Sequence, residues 1–287
     1  MKLIVEADTC ICCDSKQLSA ASAVLMPFVA SRVFDHQPIE IDESWGMRDL
    51  NNGTAYCLCR SLQCQQCGVL FLGFRFTDEQ MTALYSGYRN QEYNRQRERL
   101  EPGYMVTAEH FGRRAAYVDR VEAWLQSYLP AAPTVLDWGG DTGINTPFRF
   151  SAGVHHVYDI SDATLVKGAS PAPVGFLLQQ AYDLVCCTQV LEHVPDPQLL
   201  IRQVKACLAK NSLFYLEVPH EPLVRNHPGS LELVNLKRHW HEHVNFFNEH
   251  CLRLMLEQVG LSVIGVCKIP VSGVREGEVI GLLARSC

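Results

Sequence analysis

The sequence predicts an α/β protein built on a doubly wound, mostly parallel sheet, and three segments carry this prediction. Val135–Gly143 is a short apolar run that ends in an acid and continues into a glycine-rich turn. His156–Asp159 is a second short run ending in an acid, and Tyr182–Val194 has the pattern of a buried strand leading into a short helix. Strand, turn and helix in this order place a ligand at the carboxyl edge of the sheet.

The first strand and its turn form the most specific pattern in the chain. Asp137 lies at the end of the apolar run, and Gly139, Gly140 and Gly143 follow it in the turn. Glycine allows positive φ angles and lets the backbone approach a ligand closely. Residues Ile144–Phe150 can then start a helix, which would complete the first strand–turn–helix unit.

The later strands predict the rest of the pocket and of the sheet. Asp159, at the end of the second strand, suits hydrogen bonds to the diol of a ribose. Thr188 and Gln189, at the end of the fourth strand, would face the same pocket, whereas Ala172–Gln180 offers no clear acid for a base ring. A fifth strand, a helix and two final strands, which complete a seven-stranded sheet, are predicted at Leu213–Val218, Asn248–Val259, Ser262–Lys268 and Glu278–Ala284.

The segment before the sheet is predicted to be helical. Thr77 is suited to cap a helix, and Gln80 stands at the capping-box position. The tract Tyr85–Arg99 is rich in tyrosine and arginine. It is either a solvated helix face or a lid whose arginines bind anions over the pocket. In Met105–Leu129, apolar residues including Phe111 recur at helical spacing, which predicts one long amphipathic helix.

The N-terminal region is distinguished by its cysteines, because seven of the thirteen fall between Cys10 and Cys67. Cys10 with Cys13, and Cys64 with Cys67, have the spacing of metal ligands, and two such turns complete a tetrahedral Zn²⁺ site with a structural role. The alternative is that these are free, buried cysteines that pack as small apolar residues. Three further thiols are candidates to compete for the metal: Cys12, Cys57 and Cys59.

Length and charge limit the remaining possibilities. We divide the 287 residues into a cysteine-rich zinc-binding module (1–75), a helical lid or linker (76–130) and the doubly wound domain (131–287). The net charge of −6 gives no basic footprint, so no nucleic acid partner is expected. The apolar run in Met1–Asp8 is too short for a signal peptide, and no apolar stretch is long enough to span a bilayer. We therefore expect a soluble, cytoplasmic protein.

Taken together, these segments resemble the class I S-adenosylmethionine-dependent methyltransferases, with a Rossmann-like seven-stranded sheet. The layout is similar to a branch that carries an N-terminal zinc module ending in Cys-x-x-Cys-Gly and includes sugar C-methyltransferases of deoxysugar and surface-polysaccharide pathways. Two features depart from the pattern. Asp141 stands where the middle glycine is expected, and an acid there either attracts the cofactor's ammonium or repels its carboxylate. The chain also stops at Cys287, without the further domain that helps those enzymes hold a nucleotide-sugar.

The resemblance implies roles for the site residues. Asp137 and the backbone at Gly139, Gly140 and Gly143 would hold the methionine part of S-adenosylmethionine. Asp159 would bind its ribose. The acceptor would be a small molecule, such as a nucleotide-sugar or a precursor of a polysaccharide or secondary metabolite.

The resemblance also points to a base. His243, oriented by Glu242, matches a Glu-His pair of the sugar C-methyltransferases, and His193 matches a second histidine of their active site. Tyr88 or Tyr93 would close the site. A histidine suits proton removal because its unperturbed pKa is near neutrality. His193 has an alternative role as a structural residue of its turn.

Two other functions and one other site are consistent with parts of the pattern. A nicotinamide-dependent oxidoreductase would also use Asp159, but the glycines do not form Gly-x-Gly-x-x-Gly. A non-catalytic methyltransferase-like binding protein is suggested by Asp141. Alternation of His239, His241 and His243 along one strand would allow a second metal site, although no carboxylate pattern completes it.

Overall fold

The structure is a computed structural model that describes residues 3–46, 51–108, 112–161, 163–172, 181–272 and 276–287. Its N-terminal region contains the strands β1 Leu18–Leu25, β2 Ile39–Ile41, β3 Gly53–Ala55, β4 Leu58–Cys64 and β5 Leu70–Leu72. Helix α1, Pro27–Phe34, lies between the first two strands. Three more helices follow β5: α2 Asp78–Tyr85, α3 Gln91–Leu100 and α4 Tyr104–Ala108.

The large sheet has seven strands, as the sequence predicts. After helix α5, Val118–Leu125, come β6 Thr134–Trp138, β7 Val154–Tyr158, β8 Ser170–Pro171 and β9 Leu184–Thr188. The remaining elements are α6 Pro197–Lys205, β10 Leu213–Pro219, α7 Pro222–Arg225, β11 His239–Trp240, β12 Asn245–Phe246, α8 Glu249–Gln258, β13 Leu261–Val271 and β14 Gly277–Ser286. The strand order is β13-β14-β10-β9-β6-β7-β8, with β14 antiparallel to both its neighbours and the other pairs parallel.

Helices cover both faces of this sheet. Side chains of α6 and α8 share one apolar cluster with Leu136, Val185 and Leu216. Side chains of α5 share another with Val135 and Leu184, their neighbours along the same strands. Alternate residues of these strands therefore enter cores on opposite faces, which is why the strands are mostly apolar. The order reverses between β6 and β9, which makes the carboxyl ends of these strands the expected ligand crevice.

The smaller sheet is completed by strands from the C-terminal half of the chain. Its order is β11-β1-β4-β5-β12. Trp240, in β11, is fully buried and donates from its indole nitrogen to Ser61 Oγ at 2.9 Å, and Ser61 in turn donates to the Lys237 carbonyl. The N-terminal module therefore positions the segment 239–246, which carries the predicted base.

Several local predictions are confirmed. Thr77 and Gln80 form a capping box at the start of α2, and Asn248 caps α8, which is followed by Gly260 at φ 74°. The second, fourth and fifth strands and the two final strands also lie where the sequence predicts them. Among the described residues, no helix is long and apolar enough to cross a membrane.

The predicted long helix over Met105–Leu129 is wrong. The structure has two short helices, α4 and α5, and Phe111 lies outside the described residues. Between them, Arg114 donates to the carbonyl of Thr146, and the Ala115 amide donates to Asn145 Oδ1 at 2.9 Å. These bonds to the loop after β6 hold the backbone away from helical geometry.

The predicted helix start at Ile144–Phe150 is also wrong, because this segment forms turns. Phe148 has φ 62°, and its amide donates to Glu122 Oε1 on α5 at 2.6 Å. A helix would require that amide to bond within its own segment. Residues Leu191–His193 after β9 likewise form a turn where a short helix is predicted.

Candidate active site

The glycine-rich turn after β6 forms a cradle that side chains would fill. Gly139 has φ 78°, and a Cβ there would lie 2.5 Å from Val190 Cγ2. A Cβ on Gly140 would lie 2.5 Å from Asp137 Oδ2, and Gly143 has φ 75°. Larger residues at these positions would displace the turn from the strand edge, so the glycines keep the backbone open to a ligand.

Asp137 lies beneath this turn rather than on its surface. It is 2% exposed and accepts a hydrogen bond from Thr146 Oγ1. Burial raises the pKa of Asp137 to about 7. Its Oδ1 atom has no partner among the described residues. An orphaned buried oxygen under an open backbone cradle fits a ligand that supplies a hydrogen-bond donor.

Asp159 follows β7 at the same edge of the sheet. Its two carboxylate oxygens accept from the amides of Asp141 at 2.8 Å and Ser161 at 2.7 Å. These bonds aim the carboxylate toward the cradle, where its remaining lone pairs suit a diol. Asp141, the acid in place of the middle glycine, has φ 51° and forms an ion pair with Arg89.

The predicted pocket residues at the end of β9 are only partly free to face a ligand. Thr188 is the last residue of the strand and is half-buried. The Gln189 amide group donates to the buried carboxylate of Glu217 at 2.9 Å, so its side chain points into the sheet. Of Ala172–Gln180, only Ala172 lies among the described residues.

A cluster of histidines and glutamates lies beside this edge. The amides of Val244 and Asn245 donate to the Glu192 carbonyl, which brings the loop before β12 against the turn after β9. The rings of His193 and His243 are 4.7 Å apart, and those of His241 and His243 are 4.9 Å apart. The structure therefore brings together the two predicted bases from segments fifty residues apart.

The partner of His243 differs from the prediction. Its Nδ1 donates to Glu221 Oε1 at 2.6 Å, and Glu221 is the N-cap residue of α7. Burial favours the neutral ring, but the hydrogen bond to Glu221 and the nearby carboxyl groups of Glu192 and Glu242 hold the pKa of His243 above its usual range. Glu242 itself forms an ion pair with Arg97 of α3. Glu221 therefore orients the His243 ring in the structure, whereas Glu242 is engaged by Arg97.

His193 is held in a different environment. Its Nδ1 lies 2.9 Å from the Tyr85 hydroxyl and 3.1 Å from the Glu242 carbonyl oxygen. Burial, together with the neighbouring His243, lowers the pKa of His193 to about 3. A ring with so little proton affinity stays neutral near pH 7 and is the weaker base of the two.

Tyr85 is a site residue that the sequence-based prediction missed. It ends α2 and contacts His193, whereas the predicted Tyr88 packs edge-on against Tyr85 and Tyr93. Tyr93 is 2% exposed and packs on Phe28, so it belongs to the core and does not close the site. The only sequence signal for Tyr85 is its position at the start of the tyrosine-rich tract.

Glu192 adds a carboxylate to the cluster. It is 1% exposed, neither carboxyl oxygen has a hydrogen-bond partner among the described residues, and burial raises its pKa to about 8. Its Oε1 lies 3.8 Å from His193 Nε2. One ligand atom from each of Glu192, His193 and His243 lies within 4.8 Å of the others, and the same holds for His241, Glu242 and His243. The sequence-based idea of a metal on His239, His241 and His243 is wrong in its ligands, because β11 ends at Trp240 and His239 joins neither group.

The four predicted cysteines converge between the two sheets. Cys10 Sγ lies 3.5 Å from Cys67 Sγ, and Cys13 Sγ lies 3.5 Å from Cys64 Sγ, with all four sulfurs within 4.8 Å of one another. Backbone amides of residues 12, 66 and 67 point at these sulfurs, as they would toward thiolates. Cys12, Cys57 and Cys59 are outside this group and pack in or against the apolar clusters.

A comparison with protein families identifies the fold. A family profile described as a methyltransferase domain matches residues 108–266, more than half of the chain. The chain is a member of this methyltransferase family. The match includes the glycine-rich turn, Asp159 and the histidine loop, and it leaves the four cysteines and the tract Tyr85–Arg99 outside.

The methyltransferase also matches a curated relative over part of its length. It is 26% identical over 155 residues to the C-methyltransferase NovU of Streptomyces niveus. The aligned region covers 48% of this chain and 35% of that protein. The chain thus spans about a third of the relative's length, so the relative's activity does not transfer to it directly.

Two solved methyltransferases show a distant likeness to the chain. The 1,6-didemethyltoxoflavin-N1-methyltransferase of Burkholderia thailandensis is 19% identical, with 64% of this chain and 85% of that one covered at a TM-score of 0.47. The magnesium protoporphyrin IX methyltransferase of Synechocystis PCC 6803 is 17% identical, with 72% and 96% covered at a TM-score of 0.43. The family assignment rests on the profile match over residues 108–266 and not on these structures.

Proposed function

We propose that this protein transfers a methyl group from S-adenosylmethionine to a small-molecule acceptor. The observation that supports it most directly is the glycine cradle over the buried Asp137, with Asp159 at the end of the neighbouring strand. The cradle would admit the methionine part, the orphaned Asp137 oxygen would receive a donor, and Asp159 would bind the ribose hydroxyls. When bound, S-adenosylmethionine supplies a methyl carbon activated by its sulfonium sulfur.

Calorimetry with S-adenosylmethionine and S-adenosylhomocysteine tests this proposal. We expect dissociation constants in the micromolar range, which correspond to a binding free energy of about −8 kcal/mol. NAD(H), titrated in parallel, separates the proposal from the oxidoreductase alternative. Absence of heat with both sulfur ligands well above that concentration, or tight binding of NAD(H), contradicts the proposal.

We further propose that His243 accepts the proton that the acceptor loses. Its raised pKa gives it the proton affinity that His193 lacks, and Glu221 fixes its ring by a bond to Nδ1. Nε2 is then the nitrogen available to a substrate. Tyr85 and Glu242 hold His193 in place, so we assign His193 a positioning role.

The acceptor is proposed to be a nucleotide-sugar or a precursor of a polysaccharide or secondary metabolite. The name of the Streptomyces niveus relative, a C-methyltransferase, supports a carbon acceptor. Methylation at carbon requires loss of a C–H proton, so it depends on a positioned base. Turnover assays on a panel of such acceptors, with product mapped by NMR, would identify the atom that is methylated.

Cys10, Cys13, Cys64 and Cys67 are proposed to hold one structural Zn²⁺. A tetrahedral site with Zn–S bonds of about 2.3 Å separates its sulfurs by about 3.8 Å, close to the two 3.5 Å pairs seen here. Four protein ligands leave no open position for a substrate. None of the thirteen cysteines forms a disulfide, which supports a reducing compartment, and we propose the cytoplasm.

A further inference from the structure

An ion pair joins the tract Tyr85–Arg99 to the glycine-rich turn. Nη1 of Arg89, between α2 and α3, lies 2.7 Å from Oδ2 of Asp141, the acid that replaces the middle glycine of the turn. Their side chains are 33% and 26% exposed, respectively, so the pair lies at the surface of the cradle. Through this contact, a positively charged side chain of the tract lies beside the glycine-rich turn.

Both residues are held in a backbone conformation that favours glycine. Arg89 has φ 60° and Asp141 has φ 51°. The carbonyl of Arg89 accepts from Asn94 Nδ2 at 3.1 Å, and the Asp141 amide donates to Asp159. The Arg89 guanidinium also lies over the Tyr88 ring, 4.7 Å from its centre. Left-handed conformations of non-glycine residues cost free energy and persist where the surroundings hold them, often at ligand sites.

The three acids of the site differ in their burial and in their hydrogen bonds, and therefore in which part of a ligand they can contact. Asp137 is buried beneath Gly140, and Asp159 is bonded to two backbone amides beside the ribose position. Asp141 is the acid of the turn that stands at its surface, and Arg89 is the cation beside it. An α-amino acid carries one ammonium and one carboxylate on adjacent atoms. A carboxylate and a guanidinium side by side present the complementary charges.

We propose that Arg89 and Asp141 together recognise the amino-acid end of S-adenosylmethionine, an inference that rests on the proposed function. Asp141 accepts from the ammonium, and Arg89 donates to the carboxylate. A guanidinium has five N–H donors in a planar fork and can serve two carboxylates at once, so the pair persists when the ligand binds. The acid that replaces glycine is then part of a binding site for a zwitterion, and Arg89 places the lid over it.

The test compares two ligands that differ in this end. S-adenosylhomocysteine carries the amino-acid group, and 5′-methylthioadenosine lacks it while keeping the adenosine and the sulfur. Calorimetry on Arg89→Gln and Asp141→Asn should show affinity for S-adenosylhomocysteine reduced about ten- to a hundred-fold, as for loss of a charged hydrogen bond. Affinity for 5′-methylthioadenosine should change less than about twofold. Arg95→Gln, a lid variant whose ion pair with Glu92 is exposed, should leave both affinities unchanged.

The charge-swapped double variant Arg89→Asp/Asp141→Arg distinguishes two roles of the ion pair: binding the charged groups of the ligand, and only holding the lid against the turn. It keeps an ion pair between lid and turn but presents reversed charges to the ligand. We expect it to bind 5′-methylthioadenosine normally and S-adenosylhomocysteine as weakly as the single variants. Normal S-adenosylhomocysteine binding by the swapped protein, or equal losses for both ligands in the single variants, would overturn the proposal.

Folding and the proposed function are checked separately. Circular dichroism and thermal melts verify each variant, and Arg89→Lys, which keeps the charge, should retain more S-adenosylhomocysteine binding than Arg89→Gln. If Arg89→Lys and Arg89→Gln bind it equally well, the charge of Arg89 has no role and the inference is wrong. If the wild-type protein binds neither nucleoside, the proposed function itself is wrong.

Discussion

Replacing Glu221 by glutamine tests the proposed base without knowledge of the acceptor. The change removes the charge that lies 2.6 Å from His243 Nδ1 while keeping the size of the side chain. Without that charge, the His243 ring loses the hydrogen bond and the attraction by which Glu221 raises its pKa, while burial still favours the neutral ring. We therefore expect the pKa of His243 to fall in Glu221→Gln.

The size of the change follows from the contact. His243 and Glu221 are 26% and 14% exposed, so the pair is shielded more than a surface ion pair. A hydrogen bond to a charged group contributes about 1.5–3 kcal/mol. At about 1.4 kcal/mol per pKa unit, the expected decrease is about one to two units. Glu192 and Glu242 raise the pKa of the ring in both proteins, so they do not change the size of this decrease.

The assay is an NMR titration of the histidine ring protons across about pH 5 to 8. Eleven histidines contribute signals, and the His243 resonance is the one missing from His243→Asn. Glu278→Gln is a matched control, because Glu278 lies 2.6 Å from Nδ1 of another histidine, His220. That variant should leave the pKa of His243 unchanged.

The direction of the change in the pH dependence of turnover follows from the pKa of His243. His243 must be neutral to accept a proton, so turnover should rise as the pH passes its pKa. In Glu221→Gln this rise should move to lower pH by the same one to two units, with a weaker base and a lower plateau. An unchanged His243 titration in Glu221→Gln would refute the assignment of Glu221 as the group that sets the basicity of the ring.

Three further results are expected. Asp159→Ala should weaken S-adenosylhomocysteine binding, measured by calorimetry, without unfolding the protein, because it removes acceptors for the ribose; unchanged affinity would place the ribose elsewhere. Cys64→Ser should reduce zinc, measured by metal analysis, from about one equivalent per chain to well below it, and should lower stability. Retention of full zinc in a double variant of Cys10 and Cys13 would show that other thiols bind it. His243→Asn should reduce turnover about a hundred- to ten-thousand-fold while cofactor affinity is kept. A second metal equivalent that disappears in this variant would instead place an ion between Glu192 and His243.

The sequence predicts the large sheet well because each strand has a local signature. Apolar runs that end in Asp137 and Asp159 mark two carboxyl ends, and the buried run Leu184–Thr188 marks a third. These patterns depend on residues near one another in the chain. The pattern of the four cysteines is also local, since the two members of each pair are three positions apart in the chain.

The parts that the sequence does not predict depend on contacts between distant segments. Glu221 reaches His243 across 22 positions, and Tyr85 reaches His193 across 108, with no pattern that links them. The apolar spacing of Met105–Leu129 continues through residues that bond instead to the loop after β6. Alternation of histidines suggests a strand to His243, but β11 pairs with β1 only at His239 and Trp240.

The strand order of the small sheet determines when this sheet can fold during synthesis. β1 pairs with β11, whose residues leave the ribosome more than two hundred positions later, so this sheet stays open until nearly the whole chain has been made. Contacts of such sequence separation form late and slowly. The cysteines at 10–67 emerge first, and an early zinc ion would hold β1, β4 and β5 together as a three-stranded unit whose two outer edges, on β1 and β5, are unpaired. A chain truncated before residue 239 would expose those edges, and we expect it to aggregate.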